Sequence, residues 1–349
     1  MANDTVTVRW GSAPVLLVLS VLILLELRNE LRWLNVESTG TVKKSIDNAK
    51  DTDGIDQRSI AVNSSQQPRY AVATFIDRHG DMYGLYSIRN QLRKLSPHIP
   101  LIVVAGTNVA EERPDMWTAV HDWVGAEHTR VVNKSYIFEN LHDKLWAGTF
   151  NKLWLFNLTD FDKVIVLDCD VLVRKDISHW FVDYPTPSAT QPGDNIEWNS
   201  GAMVISPNQT LFEDMVATLP LVYPYNNENA SESDNMNSAF HDQGFFSAYF
   251  THPDKVSRFN HNQYFGAMPT QASVLSSSIR RPNLGYWVKH RWDLIETVHM
   301  TVDKPWRMDL TDHPILCRVL REWNASVLGI EKHGFEVKLD YLQKCPAIS

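Results

Sequence analysis

The stretch "FDKVIVLDCDVLV", Phe161 to Val173, closes an apolar run on two acids with one cysteine between them. Val164 to Leu167 read as a strand covered on both faces, because an uninterrupted apolar run of that length has no polar side to offer water. The strand then finishes on Asp168 and Asp170. In open α/β sheets, ligands bind beyond the carboxyl ends of the strands, which is where this pair falls. Carboxylates one residue apart repel each other unless a cation or donors lie between them. Oxygen ligands suit Mg²⁺ or Mn²⁺, and such ions commonly bridge to the phosphates of a substrate.

Upstream of the acid pair the chain alternates strand-like and helix-like segments. "YAVATFI" and "PLIVVAG" read as strands, with "GLYSIRNQLRKL" as a helix between them. "TRVVN" reads as a third strand, and "LWAGTFNKLWLFNL" as a helix leading into "KVIVLD". This order predicts an α/β domain whose central sheet is mixed but mainly parallel, with crossover helices on both faces.

At 349 residues and a net charge of -8, the chain lacks the basic face that a sequence-independent nucleic-acid binder needs. Three cysteines are too few for a disulfide scaffold; Cys317 and Cys345 can pair, which leaves Cys169 free. Near the N-terminus, "APVLLVLSVLILL" is apolar throughout, flanked by Arg9 and Arg28, and no small-x-small cleavage site follows it. The reading is a short cytoplasmic tail over 1–12, a signal anchor over 13–27, a polar stem over 28–68 and a lumenal domain over 69–349. About 20 residues span a hydrocarbon core, so this shorter run suits a thin membrane or the core of a signal peptide, and the missing cleavage site favours an uncleaved anchor over a cleaved signal. The expected location is a single-pass type II protein of the Golgi or endoplasmic reticulum membrane, held by its N-terminal helix. A lumenal domain would make Asn63, Asn133, Asn208, Asn229 and Asn324 glycan sites, whereas Asn157 closes an apolar helix and suits modification poorly.

Three readings of the acid pair follow. "VIVLDCDVL" resembles the nucleophile strand of haloacid-dehalogenase-type phosphatases, with Asp168 as nucleophile and Asp170 as general acid. That motif normally opens its domain, though, and "PGDNIEW" lacks the later acid its partner motif needs. A non-catalytic glycan- or nucleotide-binding protein is a second reading. The third has the widest support. "FNKLWLFNLTDFDKVIVLDCDVLVRKDI", "SATQPGDNIEWNSGAMVISPNQTLF", "HDQGFFSAYF" and "HMTVDKPW" resemble, in the family's order, segments of glycosyltransferase family 8. That family includes glycogenins, galactinol synthases and plant xylan glucuronosyltransferases.

The resemblance implies a GT-A fold and a metal-dependent retaining hexosyltransferase using a UDP-sugar, with Mn²⁺ or Mg²⁺ as cofactor. The donor would be UDP-glucose, UDP-glucuronate or a relative, and the acceptor a glycan, glycolipid, glycoprotein or polyol hydroxyl. Asp168, Asp170 and His299 would hold the metal, and Lys304 the diphosphate. Lys152, Asp242 and Gln243 would form the catalytic side near the donor sugar. Asn199 and Ser200 would read sugar hydroxyls, Gly201 would allow close backbone approach, and Thr74 and Tyr83 complete the donor-binding set. Trp198, Tyr264, Trp287 and Trp292 are offered as sugar-stacking faces. Three positions depart from the family pattern: Asp81 stands where a nucleotide-stacking Tyr is usual, Val302 replaces a glycine, and Gln191 replaces an acid for which Asp194 is the substitute.

Overall fold

The computed structural model describes residues 67–133, 147–190, 198–222, 242–251, 264–275, 287–301, 304–306 and 314–335. All of them belong to the unit Gln66–Ser349. The expected anchor and nearly all of the stem, together with Gln191, Asp194 and Val302, lie outside the described residues. Among the described residues no helix is long and apolar enough to cross a membrane.

The first half runs β1 (Tyr70–Ile76), α1 (Asp81–Leu95), β2 (Leu101–Gly106), α2 (Thr107–Glu112), α3 (Pro114–Val124) and β3 (Thr129–Val132). A 3-10 segment, Ala147–Asn157, then leads into β4 (Lys163–Leu167) and β5 (Val171–Val173). After α4 (Trp180–Asp183) come β6 (Ser188–Thr190), β7 (Asn199–Ile205), α5 (Gln209–Val222) and α6 (Asp242–Thr251). β8 (Gly266–Met268), β9 (Ser273–Leu275), β10 (Thr297–His299) and α7 (Pro314–Val327) complete the elements used below.

Seven strands form the main sheet in the order β3-β2-β1-β4-β7-β6-β8. Pairing is parallel from β3 through β4, antiparallel on both sides of β7, and parallel again between β6 and β8. The sheet is thus mixed and mainly parallel, as the alternating sequence predicts.

The reason these strands sit in the middle is visible in their period of two. Val72, Ile76, Val103, Ala105, Ile165 and Leu167 face one core, shared with α1, α3 and α7. Ala71, Ala73, Ile102, Val104, Val164 and Val166 face the other, shared with the 3-10 segment, α5 and α6. Both faces are covered, so the strands need no polar side.

A second, three-stranded sheet has the order β5-β10-β9. Its importance is positional. β10 pairs antiparallel with β5 so that His299 lies opposite Val171, and the Met300 N–H donates to the Asp170 carbonyl at 2.9 Å. A histidine far along the chain is thereby set beside the acid pair.

Helix α1 comes unusually close to the acid turn. A Cβ on Gly84 would lie 1.7 Å from the Cys169 carbonyl oxygen, so only glycine permits this packing. Gly84→Ala is expected to lower the melting temperature sharply, because the obstructing atoms are backbone; a variant as stable as wild type would show that α1 can move off the turn.

Several expectations change here. "LWAGTFNKLWLFNL" is not an α-helix: its described part, Ala147–Asn157, is a 3-10 segment whose Phe150, Leu153, Leu155 and Phe156 are all buried. Trp292 is a core residue, with its Nε1–H donated to Glu322 and Arg174 stacked 3.5 Å above the ring, so it presents no sugar face. Asn324 is buried within α7 and cannot accept a glycan in the folded chain. Asn208 is exposed at the start of α5, where its Oδ1 accepts the Leu211 N–H. Cys317 is disulfide-bonded and Cys169 is free and buried; Cys345 lies outside the described residues.

Candidate active site

The site is assembled from five parts of the chain at the carboxyl end of β4. Asp168 leaves the strand with its N–H donated to the Gly201 carbonyl on β7 at 2.9 Å, and the turn closes by Val171 N–H to Asp168 O at 3.0 Å. Cys169 points back into the core, its thiol 3.4 Å from both Thr74 Oγ1 and the Phe75 carbonyl. Burial, and then the negative charge of Asp81, push the thiol pKa well up, so Cys169 stays an uncharged packing residue. With the cysteine turned inward, both flanking carboxylates turn outward.

Those carboxylates meet His299. Its Nε2 lies 3.2 Å from Asp170 Oδ1 and 3.7 Å from Asp168 Oδ2. One ligand atom from each of Asp168, Asp170 and His299 falls within 4.8 Å of the others. Two carboxylate oxygens and an imidazole nitrogen suit Mn²⁺ well and Mg²⁺ acceptably.

A second cluster adjoins the first. The Lys152 ammonium donates to Asp168 at 2.9 Å, to Asp242 Oδ2 at 2.5 Å and to the Ser200 carbonyl and hydroxyl at 3.2 and 3.3 Å. Ser200 Oγ in turn donates to Asp242 Oδ2 at 2.7 Å. Asp242 opens α6, and its N–H donates to Thr149 Oγ1 at 3.2 Å. Lys304 donates to Asp170 Oδ2 and, at 3.3 Å, to the Thr301 carbonyl.

These charges tune one another. Burial alone would raise the Asp170 pKa, but His299 and then Lys304 outweigh it and hold the carboxyl well below the usual range. Asp168 moves the other way: burial dominates, opposed by Lys152 and His299, and the net shift is upward. For Lys152 burial lowers the pKa, yet Asp168 and Asp242 more than reverse it. With a neutral imidazole, three carboxylates and two ammoniums leave one net negative charge, which a divalent cation would convert to net positive.

The structure therefore brings together Lys152, Asp168, Asp170, Ser200, Asp242, His299 and Lys304. Asn199 and Gly201 sit at the back of the imidazole, and Gln243 touches Asn199. Thr74 is not at this surface; it is buried in β1 beneath Cys169. Tyr83 lies on α1, stacked on Trp306 with ring centroids 6.3 Å apart and the planes 17° from parallel. That contact ties it to the "KPW" segment. Asp81, in the place of the usual aromatic, accepts the N–H groups of Asp77 and Arg78 and so braces the turn after β1. Thr149 and the His79–Phe335 ring pair, 5.2 Å apart, are neighbours of these groups that sequence reasoning missed. Neither carries a local signal. Trp198 is half-buried and packs on Phe265, Trp287 is half-buried with the Arg291 guanidinium over its ring, and Tyr264 is exposed.

Gly201 has a specific job. A Cβ there would lie 2.0 Å from His299 Cε1, inside the ring's own volume. Gly201→Ala is expected to displace His299 and weaken Mn²⁺ binding by about tenfold or more, the scale for disturbing a ligand's orientation. Isothermal titration with Mn²⁺ reads it; unchanged affinity would mean the ring is free to shift.

A mainly parallel α/β sheet with an Asp-x-Asp pair and a histidine grouped beyond its fourth strand is a GT-A-like arrangement. The chain has as relatives plant glucuronosyltransferases and galactinol synthases, members of glycosyltransferase family 8. It is 34% identical over 119 residues to a candidate UDP-glucuronate:xylan alpha-glucuronosyltransferase 5 of Arabidopsis thaliana, covering 34% of this chain and 18% of the relative. It is 26% identical over 176 residues to inositol phosphorylceramide glucuronosyltransferase 1 of the same plant, covering 48% and 30%. Galactinol synthase 1 of Solanum lycopersicum matches at 21% over 266 residues, covering 66% and 82%. The match to the two glucuronosyltransferases spans less than a third of their own length. No family model matches the chain.

Proposed function

We propose that the chain is a metal-dependent, retaining hexosyltransferase that moves a sugar from a UDP-sugar to a hydroxyl acceptor. The carrying observation is the convergence of Asp168, Asp170 and His299 beside Lys304, with the Lys152–Asp242 pair against the same carboxylate. The donor proposed is a UDP-linked glucuronosyl, glucosyl or related unit, and the plant relatives favour glucuronate. The acceptor is a glycan, glycolipid, glycoprotein or polyol.

A divalent cation held by Asp168, Asp170 and His299 would supply positive charge to the diphosphate as the sugar–phosphate bond breaks. Lys304, the more exposed of the two lysines, would leave Asp170 for a phosphate oxygen and act as a second fixed charge. Asp242 and Gln243 would face the donor sugar, where a carboxylate held ionised by Lys152 can bind hydroxyls or stabilise positive charge at the anomeric carbon. Tyr83 and Trp306 would lie on the nucleoside side of the site.

The location proposed is the Golgi or endoplasmic reticulum lumen, behind a 13–27 anchor and a 28–68 stem, with the 69–349 domain inside. The disulfide at Cys317 suits an oxidising compartment, as does an exposed sequon at Asn208.

The test is UDP release by the purified protein with Mn²⁺ and a panel of UDP-sugars. Mn²⁺-dependent release with at least one donor is expected. No turnover with any donor, together with no metal-dependent UDP binding, would overturn the reading. Phosphate release from sugar phosphates that is lost in Asp168→Asn would favour the phosphatase instead. Protease protection of the domain in sealed vesicles checks the topology.

A further inference from the structure

Asn199 is fully buried, so its carboxamide was never available to read a sugar hydroxyl directly in this arrangement. Its orientation can be deduced from its neighbours. The Gly201 backbone N–H can only donate, and it lies 3.2 Å from Asn199 Oδ1, so that atom must be the oxygen. The amide nitrogen, on the other side, donates to Gln243 Oε1 at 3.1 Å. The same Oδ1 lies 2.9 Å from His299 Nδ1. A carboxamide oxygen only accepts, so the proton of that contact belongs to Nδ1. In the neutral ring the lone pair is then on Nε2, the nitrogen that faces Asp168 and Asp170.

We propose that Asn199 is a positioning residue for the metal site: it holds His299 as the Nδ1–H tautomer, with Nε2 aimed at a divalent cation shared with the two carboxylates. Gly201 completes the seat by leaving room for the ring, and Gln243 locks the amide from behind. The Asn-Ser-Gly run is thus a cradle for an imidazole one hundred residues away in sequence. Ser200, between them, turns to Lys152 and Asp242, so adjacent residues serve the metal side and the sugar side. The inference rests on the metal site of the proposed transferase, and is independent of which sugar is moved.

The experiment uses the full chain and Mn²⁺ alone, without donor. Asn199→Leu, which keeps volume but offers no acceptor, is expected to weaken Mn²⁺ binding by about 10- to 100-fold, the range for loss of a ligand's outer hydrogen-bond partner. Asn199→Asp, which still accepts from Nδ1–H and from Gly201, is expected to bind within about tenfold of wild type. Leucine binding as tightly as wild type overturns the proposal, and so does aspartate losing as much as leucine. Should the leucine variant not fold, the wild-type protein saturated with diamagnetic Mg²⁺ decides by long-range ¹H–¹⁵N correlation of His299. A protonated Nδ1 with unprotonated Nε2 is expected, and the reverse tautomer overturns the proposal. Loss of Mn²⁺ binding in Asp170→Ala with no change in Asn199→Leu sinks this inference alone. Intact Mn²⁺ binding with no turnover of any UDP-sugar sinks the transferase reading alone.

Discussion

Asp170→Ala is expected to abolish Mn²⁺-dependent UDP binding and to lower turnover on the order of a thousandfold, while the fold survives. The size follows from what the side chain does. Removing one preorganised charge-stabilising group from a water-poor site typically costs 10²–10³ in rate, and Asp170 also anchors two further groups, His299 and Lys304. Its carboxyl is held ionised despite burial, because His299 and Lys304 offset the desolvation. Without it the remaining oxygen ligand would be Asp168, which already shares its charge with Lys152. The fold should tolerate the change, since the turn is closed by backbone bonds at Asp168 and Met300 that alanine keeps. Circular dichroism checks integrity, and titration with Mn²⁺ and UDP reads the loss. Asp170→Asn separates charge from shape: an equal loss assigns the effect to charge. Unchanged Mn²⁺-dependent UDP binding in either variant would remove Asp170 from the metal site.

What the chain disclosed before its structure was known depended on how local each feature is. β1, β2 and β4 are short, mostly apolar runs with both faces covered, and burial on both sides shows in most of their residues. The acid pair was equally plain, since Asp168 and Asp170 interrupt such a run at its end. The antiparallel pairing of β7 between β4 and β6 was less visible, because strand direction depends on partners and not on the strand's own composition. The segment Ala147–Asn157 was read as an α-helix because apolar residues dominate it, and an apolar run does not by itself fix the number of residues per turn. His299 could be proposed only through resemblance, as its nearness to Asp170 depends on β10 pairing with β5. Asn199 shows the limit most clearly. Sequence alone supports many uses for an amide, and only three simultaneous contacts reveal which atom faces which neighbour.

The other large effect belongs to Lys152, and it concerns stability before rate. Its ammonium is buried and bonded to Asp168, Asp242 and Ser200 at once. Lys152→Met removes a cation held between two carboxylates, of which Asp242 is as buried as the lysine. Breaking a buried pair from one side leaves uncompensated charge and costs about 3–5 kcal/mol, so a marked fall in melting temperature is expected. If the cost is charge and not lost packing, neutralising the partner should return part of it. Lys152→Met with Asp242→Asn is therefore expected to be more stable than Lys152→Met alone, although both changes are individually harmful. Additive losses would show that the pair acts through shape. The pH dependence has a definite sign. A lysine whose folded pKa lies above its unfolded value, near 10.5, stabilises the fold at every pH below that value. The benefit fades only as pH climbs through the higher, folded value. The gap between wild type and Lys152→Met should accordingly stay constant across the neutral range and narrow only in strong alkali, as followed by denaturant unfolding at several pH values. A gap that closes already below neutral pH would mean that Asp168 or Asp242 takes up a proton first, and that the lysine faces one charge instead of two.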